Sequence, residues 1–486
     1  MPPGEEGRWL RLRQLLGAAE DGPITVDEAS ILAWSPADRT RHLSDAQQLD
    51  LDGVLLRLTR LGAFATGGDG QRHVTPLVRH RIEVGDARPA RAKLRRYSIL
   101  ELETLWKEVD KLLRKGVIEP ASSPWNSPLL LGPKPDGRLR VVQDLRAVNR
   151  AVMKHGNGMD GYPLPRPAEM HQALDRAVYF TTADALDGFW QVELDQESRP
   201  ITAFQTRWGQ FQWRVGTMGL MRMPATFQRL MELAIGHDAL WAYALAYVDD
   251  VLVFSRTFDE HIVQVERVFT RLAQAGVVLK PSKCHFAQLQ VRFLGHVVHG
   301  NGRGVDPAKV EAVNRLRPPR TVAEVRSYLQ MASYYREYIP RFSDIAEPLN
   351  AVLRKDGANE LGDNVTAAWT LLCEALRSAP LLAHPDYEGI RSGVTKLVLQ
   401  TDASDVGLDG VLSQRRSDGK EQPVAYYSRS LKRAERNYSV YDRKALAAVE
   451  SILHFRPLLH NGRTFHAGNG PFGAAVPPQP RQRAAH

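Results

Sequence analysis

Two adjacent aspartates, Asp249 and Asp250, lie between ALAYV and VLVFS, two runs apolar enough to be strands buried on both faces. Holding carboxylates against such strands costs on the order of several kcal/mol unless something compensates the charge. A divalent cation would do so, because hard cations prefer carboxylate oxygen. The bare dipeptide reads more readily as a solvent-exposed hairpin turn, since Asp is a common turn residue. Upstream, YFTTADALDGFWQVEL places Asp184 at the end of another strand-like run. A third carboxylate there completes a set for two Mg²⁺ ions (Mn²⁺ being an acceptable substitute). Ions held about 3.5–4 Å apart can activate an attacking hydroxyl and stabilise a leaving pyrophosphate in an in-line displacement. Asp187 and Asp195 compete for the third place. Asp187 begins the turn DGF, where capping accounts for it, so Asp184 ranks first.

The elements that must position these residues read as an α+β arrangement of hairpins and helices. ILELETLWKEVDKLLRK, residues 99–115, repeats Leu and Val at helical spacing and ends at Gly116. PLLLG and RLRVVQD flank Pro135-Asp136-Gly137, a hairpin signal, and TRWGQFQWRV forms a second hairpin around Trp208-Gly209. PATFQRLMELAI starts a helix at Pro224, and HIVQVERVFTRLAQAG forms another behind the aspartate pair. Residues 1–90 offer two short helical patterns, Trp9–Leu16 and Leu51–Leu61, and a flexible Gly67-Gly68-Asp69-Gly70 loop, with no chemistry. A helical appendage or poorly ordered lead-in is expected there.

With 486 residues there is room for two or more domains. The chain is 43% hydrophobic and 24% charged, its mean hydropathy is −0.33, and no apolar run approaches the roughly 18 residues of a membrane span. MPPGEEGRWL lacks a secretory layout, and Cys284 and Cys373 are too few for a disulfide framework or zinc ribbon, which fits an intracellular setting. A net charge of +9 and a pI near 9.5 suit a polyanionic partner, although a solvated basic surface explains charge alone equally well. Nothing in the sequence reports oligomeric state.

From about residue 97 to 355 the chain resembles the reverse transcriptase of gypsy-type long-terminal-repeat retrotransposons. The matching blocks come in order: GVIEPASSPWNSPLLLGPKPDG, DLRAVN, YPLPR, the Asp184 block, PATFQRLM, YVDDVLVFS, FLGHVV and YYREYIPRFSDIAEPL. The resemblance implies a right-hand polymerase of fingers, palm and thumb, acting on RNA and DNA template-primer with deoxynucleoside triphosphates. Asp184, Asp249 and Asp250 would be its catalytic metal ligands. Phe189 would be the aromatic gate against a 2′-hydroxyl, and Lys134 and Arg140 would hold the triphosphate. Asp144, Arg146 and Asn149 would supply structural pairing and template contact, Gln228 would support the site, and Phe293-Leu294-Gly295-His296 would grip the primer. Arg326, Tyr334, Tyr335 and Arg336 would present phosphate-neutralising and aromatic surface on the thumb, a helix core explaining the tyrosines equally well.

The pattern departs in places. GTMGLMRMP puts Thr217 and Met218 where the family has Pro-Phe, and Arg222-Met223 where it has Asn-Ala, in the loop expected beside the nucleotide sugar. Gln143 replaces an apolar residue. The C-terminal stretch, LQTDASDVG through HFRPLLHNGRTF, resembles a ribonuclease H domain with Asp402 as its first metal carboxylate. Its second carboxylate position reads Lys444, Asp442 lies about 200° round the helix from it, and AGNGPF stands where the third belongs. Asp409 replaces a glycine, which is expected to disturb the first strand. The expected layout is a lead-in over 1–95, fingers and palm over 96–300, thumb over 301–355 and connection over 356–395. A degenerate, truncated ribonuclease H-like domain over 396–470 and a disordered tail over 471–486 complete it. The implied activity is RNA-directed DNA synthesis without ribonuclease H cleavage, in the cytoplasm (as a virus-like particle) or the nucleus, with no membrane partner. The alternatives are a non-catalytic nucleic-acid-binding remnant and an RNA-making polymerase, against which Phe189 speaks.

Overall fold

A computed structural model describes residues 40–65, 72–93, 95–133, 139–154, 162–354, 361–460 and 465–468. Trp9–Leu16, the glycine loop at 67–70, the Pro135-Asp136-Gly137 turn and the 471–486 tail lie outside the described residues. The chain forms two compact units, Met1–Met170 with Tyr179–Leu289, and His171–Val178 with Gln290–His486. The units divide at 289, and the strands that follow pair only among themselves.

The first unit opens with helix α1, Asp45–Arg60, started by a capping box between Ser44 and Gln47. Leu51, Val54, Leu55 and Leu58 on α1 are fully buried in the main core, so this segment is not the appendage its sequence suggested. Each such side chain contributes roughly 1.5–3 kcal/mol by leaving water. Helix α2, Ile99–Arg114, has its own capping box, Ser98 with Glu101, and ends where Gly116 takes a φ of 63°. Strand β1, Ile118–Pro120, precedes the hairpin of β2, Leu129–Pro133, and β3, Leu139–Gln143, which pair from Leu129↔Gln143 to Pro133↔Leu139. After the short helix α3, Arg146–Lys154, and strand β4, Tyr179–Asp184, comes the hairpin of β5, Phe204–Thr206, and β6, Gly209–Trp213.

Helix α4, Met223–Ile235, leads to strands β7, Ala244–Tyr247, and β8, Asp250–Ser255, then to α5, Phe258–Gln274, and β9, His285–Gln288. Strands β4, β7, β8 and β9 form one antiparallel sheet in the order β9-β4-β8-β7. Its β4 and β8 residues are buried almost throughout, as the unbroken apolar runs required. Phe227 and Leu230 of α4 and Val268 and Phe269 of α5 have no exposed surface.

The second unit begins with a three-stranded antiparallel meander of β10, Gln290–Phe293, β11, His296–His299, and β12, Gly302–Val305. Helices α6, Pro307–Asn314, α7, Val322–Tyr334, α8, Phe342–Val352, and α9, Asp363–Arg377, come next. The expected connection is not separate from the thumb, since Tyr328 of α7 and Leu372 and Cys373 of α9 share one core. The chain then folds into β13, Lys396–Ala403, β14, Gly407–Arg415, β15, Glu421–Ser430, α10, Val440–Leu459, and β16, Phe465–Gly468. This sheet runs β15-β14-β13-β16, with β16 parallel to β13 after the α10 crossover.

Candidate active site

The β7–β8 hairpin closes on the pair Tyr247↔Asp250, leaving Val248 and Asp249 at the turn. Val248 has a φ of 54°, left-handed backbone that a β-branched residue adopts only when its surroundings hold it there. Gln228 of α4 does the holding. Its Oε1 accepts the Val248 N–H at 2.7 Å, and its Nε2 donates to the Ala246 carbonyl at 2.9 Å and to Glu232 at 2.8 Å. The Gln228 side chain is fully buried.

One strand over, Asp184 is the direct antiparallel partner of Asp250, and the Ala185 N–H donates to the Asp249 carbonyl at 3.2 Å. The sheet register therefore brings together three carboxylates from positions 65 and 66 residues apart in sequence. Burial pushes the Asp250 carboxyl up to about 6, helped by the neighbouring Asp249 and Asp184 charges and opposed by Lys283. Asp249 shifts the same way, chiefly through burial. The dipeptide does sit at a hairpin turn, but its residues are partly buried and not freely exposed. Lys283 donates to both Asp184 oxygens at 2.8 Å, so a cation already sits on the carboxylate set. Among the described residues no three acidic, histidine or cysteine side chains enclose an ion as they stand. Two partly buried carboxylates raised chiefly by burial and by the charge of neighbouring aspartates, beside a third that pairs with a lysine, are nevertheless a donor set suited to hard divalent cations.

Of the competing aspartates, Asp187 is engaged elsewhere. Asp187 has a φ of 48°, makes no side-chain cap, and pairs with Lys115 at 3.2 Å, so an ion pair and not capping explains it. The Asp195 backbone bonds to His80 and Ser198 in a turn. Between them Gly188 packs against the hairpin turn, where an added Cβ would lie 3.3 Å from Asp249 Cβ and from Phe227 Cζ. Phe189 is half-buried, edge-on to Phe227 with centroids 5.8 Å apart, combining a core contact with a partly open face.

The divergent loop is built into the unit. Asn149 donates to the Gly219 carbonyl at 2.8 Å and accepts the Met221 N–H at 3.1 Å. Met218 is exposed, and its Sδ lies 3.2 Å from the Arg140 guanidinium, so these two expected nucleotide contacts are neighbours. Lys134 lies outside the described residues. Asp144 and Arg146 pair with each other, and that bond holds the Asp144 carboxyl at about 2. Gln143 is buried with both amide ends satisfied, donating to the Thr202 carbonyl and accepting from Trp213 Nε1, each at 2.7 Å.

In the second unit, Phe293–His296 is the β10–β11 hairpin, with Leu294 and Gly295 in left-handed backbone at φ 48° and 74°. Tyr334 and Tyr335 donate to the Leu294 and Gly295 carbonyls at 2.7 and 3.1 Å, and His296 Nδ1 bonds the Tyr338 hydroxyl at 2.9 Å. Tyr335 is buried, so the tyrosines brace the hairpin and only Tyr334, with Arg326 and Arg336, offers surface. Further on, Asp402 pairs directly with Asp409, and β13 and β14 stay in register from Lys396↔Arg415 to Ala403↔Leu408. The glycine replacement thus leaves the strand intact, although burial pushes Asp409 up to about 6. Asp442 takes part in the α10 cap with Ser439, and Arg443, beside Lys444, pairs with Asp405 at 2.6 Å. Residues 469–486 lie outside the described residues. Lys283 and Gly188 were not anticipated. Lys283 carries only the weak signal of a basic KPSKC turn, and reaches Asp184 because β9 pairs with β4.

Residues 132–298 match the reverse transcriptase (RNA-dependent DNA polymerase) family, and residues 361–467 match the RNase H-like domain found in reverse transcriptase. The retrovirus-related Pol polyprotein from transposon 297 of Drosophila melanogaster is 33% identical over 437 residues, covering 88% of this chain and 39% of that protein. The transposon Tf2-3 polyprotein of Schizosaccharomyces pombe is 30% identical over 363 residues, 74% of this chain and 26% of that one. The chain therefore spans well under half the length of these relatives. Its fold is also that of the foamy viral protease-reverse transcriptase dRH in complex with double-stranded DNA, with a TM-score of 0.75, 24% identity, and coverage of 92% of this chain and 74% of that one. These likenesses establish the polymerase fold with an RNase H-like domain behind it, and the chain belongs to the reverse transcriptase family carried in the Pol polyproteins of long-terminal-repeat retrotransposons.

Proposed function

We propose that the chain is an RNA-directed DNA polymerase that adds deoxynucleotides to a primer annealed to an RNA or DNA template. The observation that carries this reading is Asp250 standing opposite Asp184, with Asp249 on a turn that Gln228 holds in strained backbone. Asp184, Asp249 and Asp250 would hold two Mg²⁺ ions, with Mn²⁺ also suited to the oxygen ligands. When bound, such ions favour the deprotonated 3′-hydroxyl and neutralise the triphosphate. The primer 3′-oxygen forms a bond to the α-phosphorus as the bond to the bridging oxygen of pyrophosphate breaks. Lys283, paired with both Asp184 oxygens, lessens the repulsion among the carboxylates and would have to release Asp184 for that carboxylate to hold an ion. Arg140 and Met218, with Lys134, hold the incoming nucleotide, Phe189 bounds its sugar, and the Phe293–His296 hairpin supports the primer.

The RNase H-like domain is proposed to lack cleavage, because Lys444 puts a cation where a second metal carboxylate is needed beside Asp402. No described helix is long and apolar enough to cross a membrane, and we place the protein inside the cell, in a cytoplasmic virus-like particle or the nucleus. A nucleic-acid-binding remnant without turnover is the second reading, favoured by Thr217 and Met218 in the loop. Primer extension on matched RNA and DNA templates separates the two. Extension with deoxynucleotides that Asp249→Asn abolishes supports the enzyme, while salt-sensitive binding without incorporation by folded protein refutes it. Hybrid cleavage dependent on Mg²⁺ would overturn the loss of ribonuclease H.

A further inference from the structure

The YPLPR block, residues 162–166, takes no part in the carboxylate site itself. Pro163 and Pro165 offer no N–H to a helix or sheet, and residues 162–166 run outside both. Tyr162, at the head of the block, reaches α4. Its hydroxyl donates to Glu232 Oε2, and the Arg229 guanidinium lies over its ring, 4.9 Å from the centroid. Glu232 Oε1 accepts from Gln228 Nε2 at 2.8 Å, so both oxygens of this carboxylate are engaged. Gln228 in turn holds the Val248 N–H and the Ala246 carbonyl. A chain of side-chain hydrogen bonds therefore runs from Tyr162 through Glu232 and Gln228 to the residue before Asp249.

The outer members of this chain matter because a clamp needs an anchor. Ala246 and Val248 belong to the hairpin being held, so their bonds to Gln228 alone let amide and turn shift together. A glutamine side chain turns about several bonds, and only a contact on the α4 side fixes them relative to the helix. Glu232, one helical turn on, supplies that contact. A pair at this spacing is ordinarily a minor helix contact. Here the Gln228 side chain is fully buried and its other amide bonds face the turn. A carboxylate only accepts, so Glu232 takes the NH2 end of the amide and leaves the amide oxygen for Val248. Glu232 is partly buried and has rotamer freedom to lose, and the Tyr162 hydroxyl holds it in place.

We infer that Glu232 and Tyr162 are positioning residues for nucleotide addition, pinning the Gln228 amide to α4 so that the Val248 turn presents Asp249 beside Asp184. They act through Gln228 and not on the reacting atoms. Helix stability alone would need neither a buried glutamine nor a tyrosine brought in from outside the helix. The consequence for turnover rests on the polymerase reading, whereas the hold on the turn does not.

The test compares the full chain with Glu232→Met, Glu232→Gln and Tyr162→Phe in two ways. One is steady-state primer extension, and the other is hydrogen exchange of the peptide spanning 244–250 in the metal-free protein. Glu232→Met is expected to lower kcat by about three- to 30-fold, short of the ~100-fold that a shift of about 1 Å costs, with KM for deoxynucleotide nearly unchanged. Exchange over 244–250 should quicken by about tenfold or more, the worth of one hydrogen bond to a charged group. Glu232→Gln, which keeps an acceptor for Gln228, should recover most of both losses. Tyr162→Phe should lower kcat by about two- to tenfold, the worth of a single hydrogen bond, and should add nothing in the Glu232→Met chain. Wild-type kcat and exchange in Glu232→Met, or a fall in kcat matched by a rise in KM, would overturn the inference. So would an absence of recovery in Glu232→Gln, or a Tyr162→Phe effect that simply adds to that of Glu232→Met. A wild-type chain that extends no primer would refute the polymerase reading, and the exchange comparison would still decide whether Glu232 and Tyr162 hold the turn.

Discussion

Replacing Gln228 by Met keeps the bulk of a fully buried side chain and removes both ends of its amide. The Val248 N–H loses its 2.7 Å acceptor and the Ala246 carbonyl its 2.9 Å donor. A buried polar group left unpaired costs about 1–3 kcal/mol. The Ala246 site is buried, whereas the Val248 turn is partly open to water, so a total of about 2–4 kcal/mol is expected. The turn can recover part of this by letting Val248 leave its φ of 54°, which releases the ~1–3 kcal/mol stored in that conformation. Relaxation would move Asp249, the next residue, away from Asp184. A misplacement of about 1 Å at reacting groups lowers rates by as much as ~100-fold. The expected outcome in primer extension is kcat down by about 10- to 100-fold with KM for deoxynucleotide nearly unchanged, and a lowered melting temperature. Adding Val248→Gly, which adopts a positive φ freely, should restore stability without restoring kcat. Wild-type kcat in folded Gln228→Met would refute the idea that this side chain holds the metal-binding turn.

Three further outcomes are expected of the same structure. In the metal-free chain the Asp250 carboxyl titrates at about 6, above its unfolded value, so the folded state binds the extra proton and stability falls as pH rises from the usual carboxylate range through about 6. Mg²⁺ should therefore raise the melting temperature more at about pH 7.5 than at about pH 5, a difference that Asp250→Asn reduces, Asp249 being shifted the same way. Leu55→Ala, at a fully buried position of α1, should cost about 2–5 kcal/mol in denaturant unfolding. A cost near zero would return that helix to the status of an appendage. Phe189→Val should raise ribonucleotide use relative to deoxynucleotide use by about 10- to 200-fold in single-nucleotide incorporation, and an unchanged ratio would remove Phe189 from the sugar site.

Local chemistry was legible wherever neighbours in sequence decide the outcome. The Leu and Val spacing over 99–115, Gly116 after α2, Pro224 in the first turn of α4 and the strand runs either side of 134–138 all act within a few residues, and the elements formed where they pointed. Other features depended on partners far along the chain. The Leu51–Leu61 pattern looked like an appendage because nothing nearby shows that Phe64 meets Phe269 and Phe286, at 6.1 and 6.0 Å. Gln143 looked misplaced until Thr202 and Trp213 supplied its two bonds. Tyr335 looked available to nucleic acid until its hydroxyl proved to donate to Gly295.

The order of residues is enough to set Asp249 and Asp250 between apolar strands, and to assign the ordered blocks around them to a polymerase lineage. It took the folded chain to show that Asp184 faces Asp250, that Gln228 holds Val248 in left-handed backbone, and that Lys283 caps the carboxylate set. The division has a physical cause. Strand formation and turn preference are set by residues within a turn's reach, whereas sheet register and desolvation are set by whichever distant segments the core brings alongside.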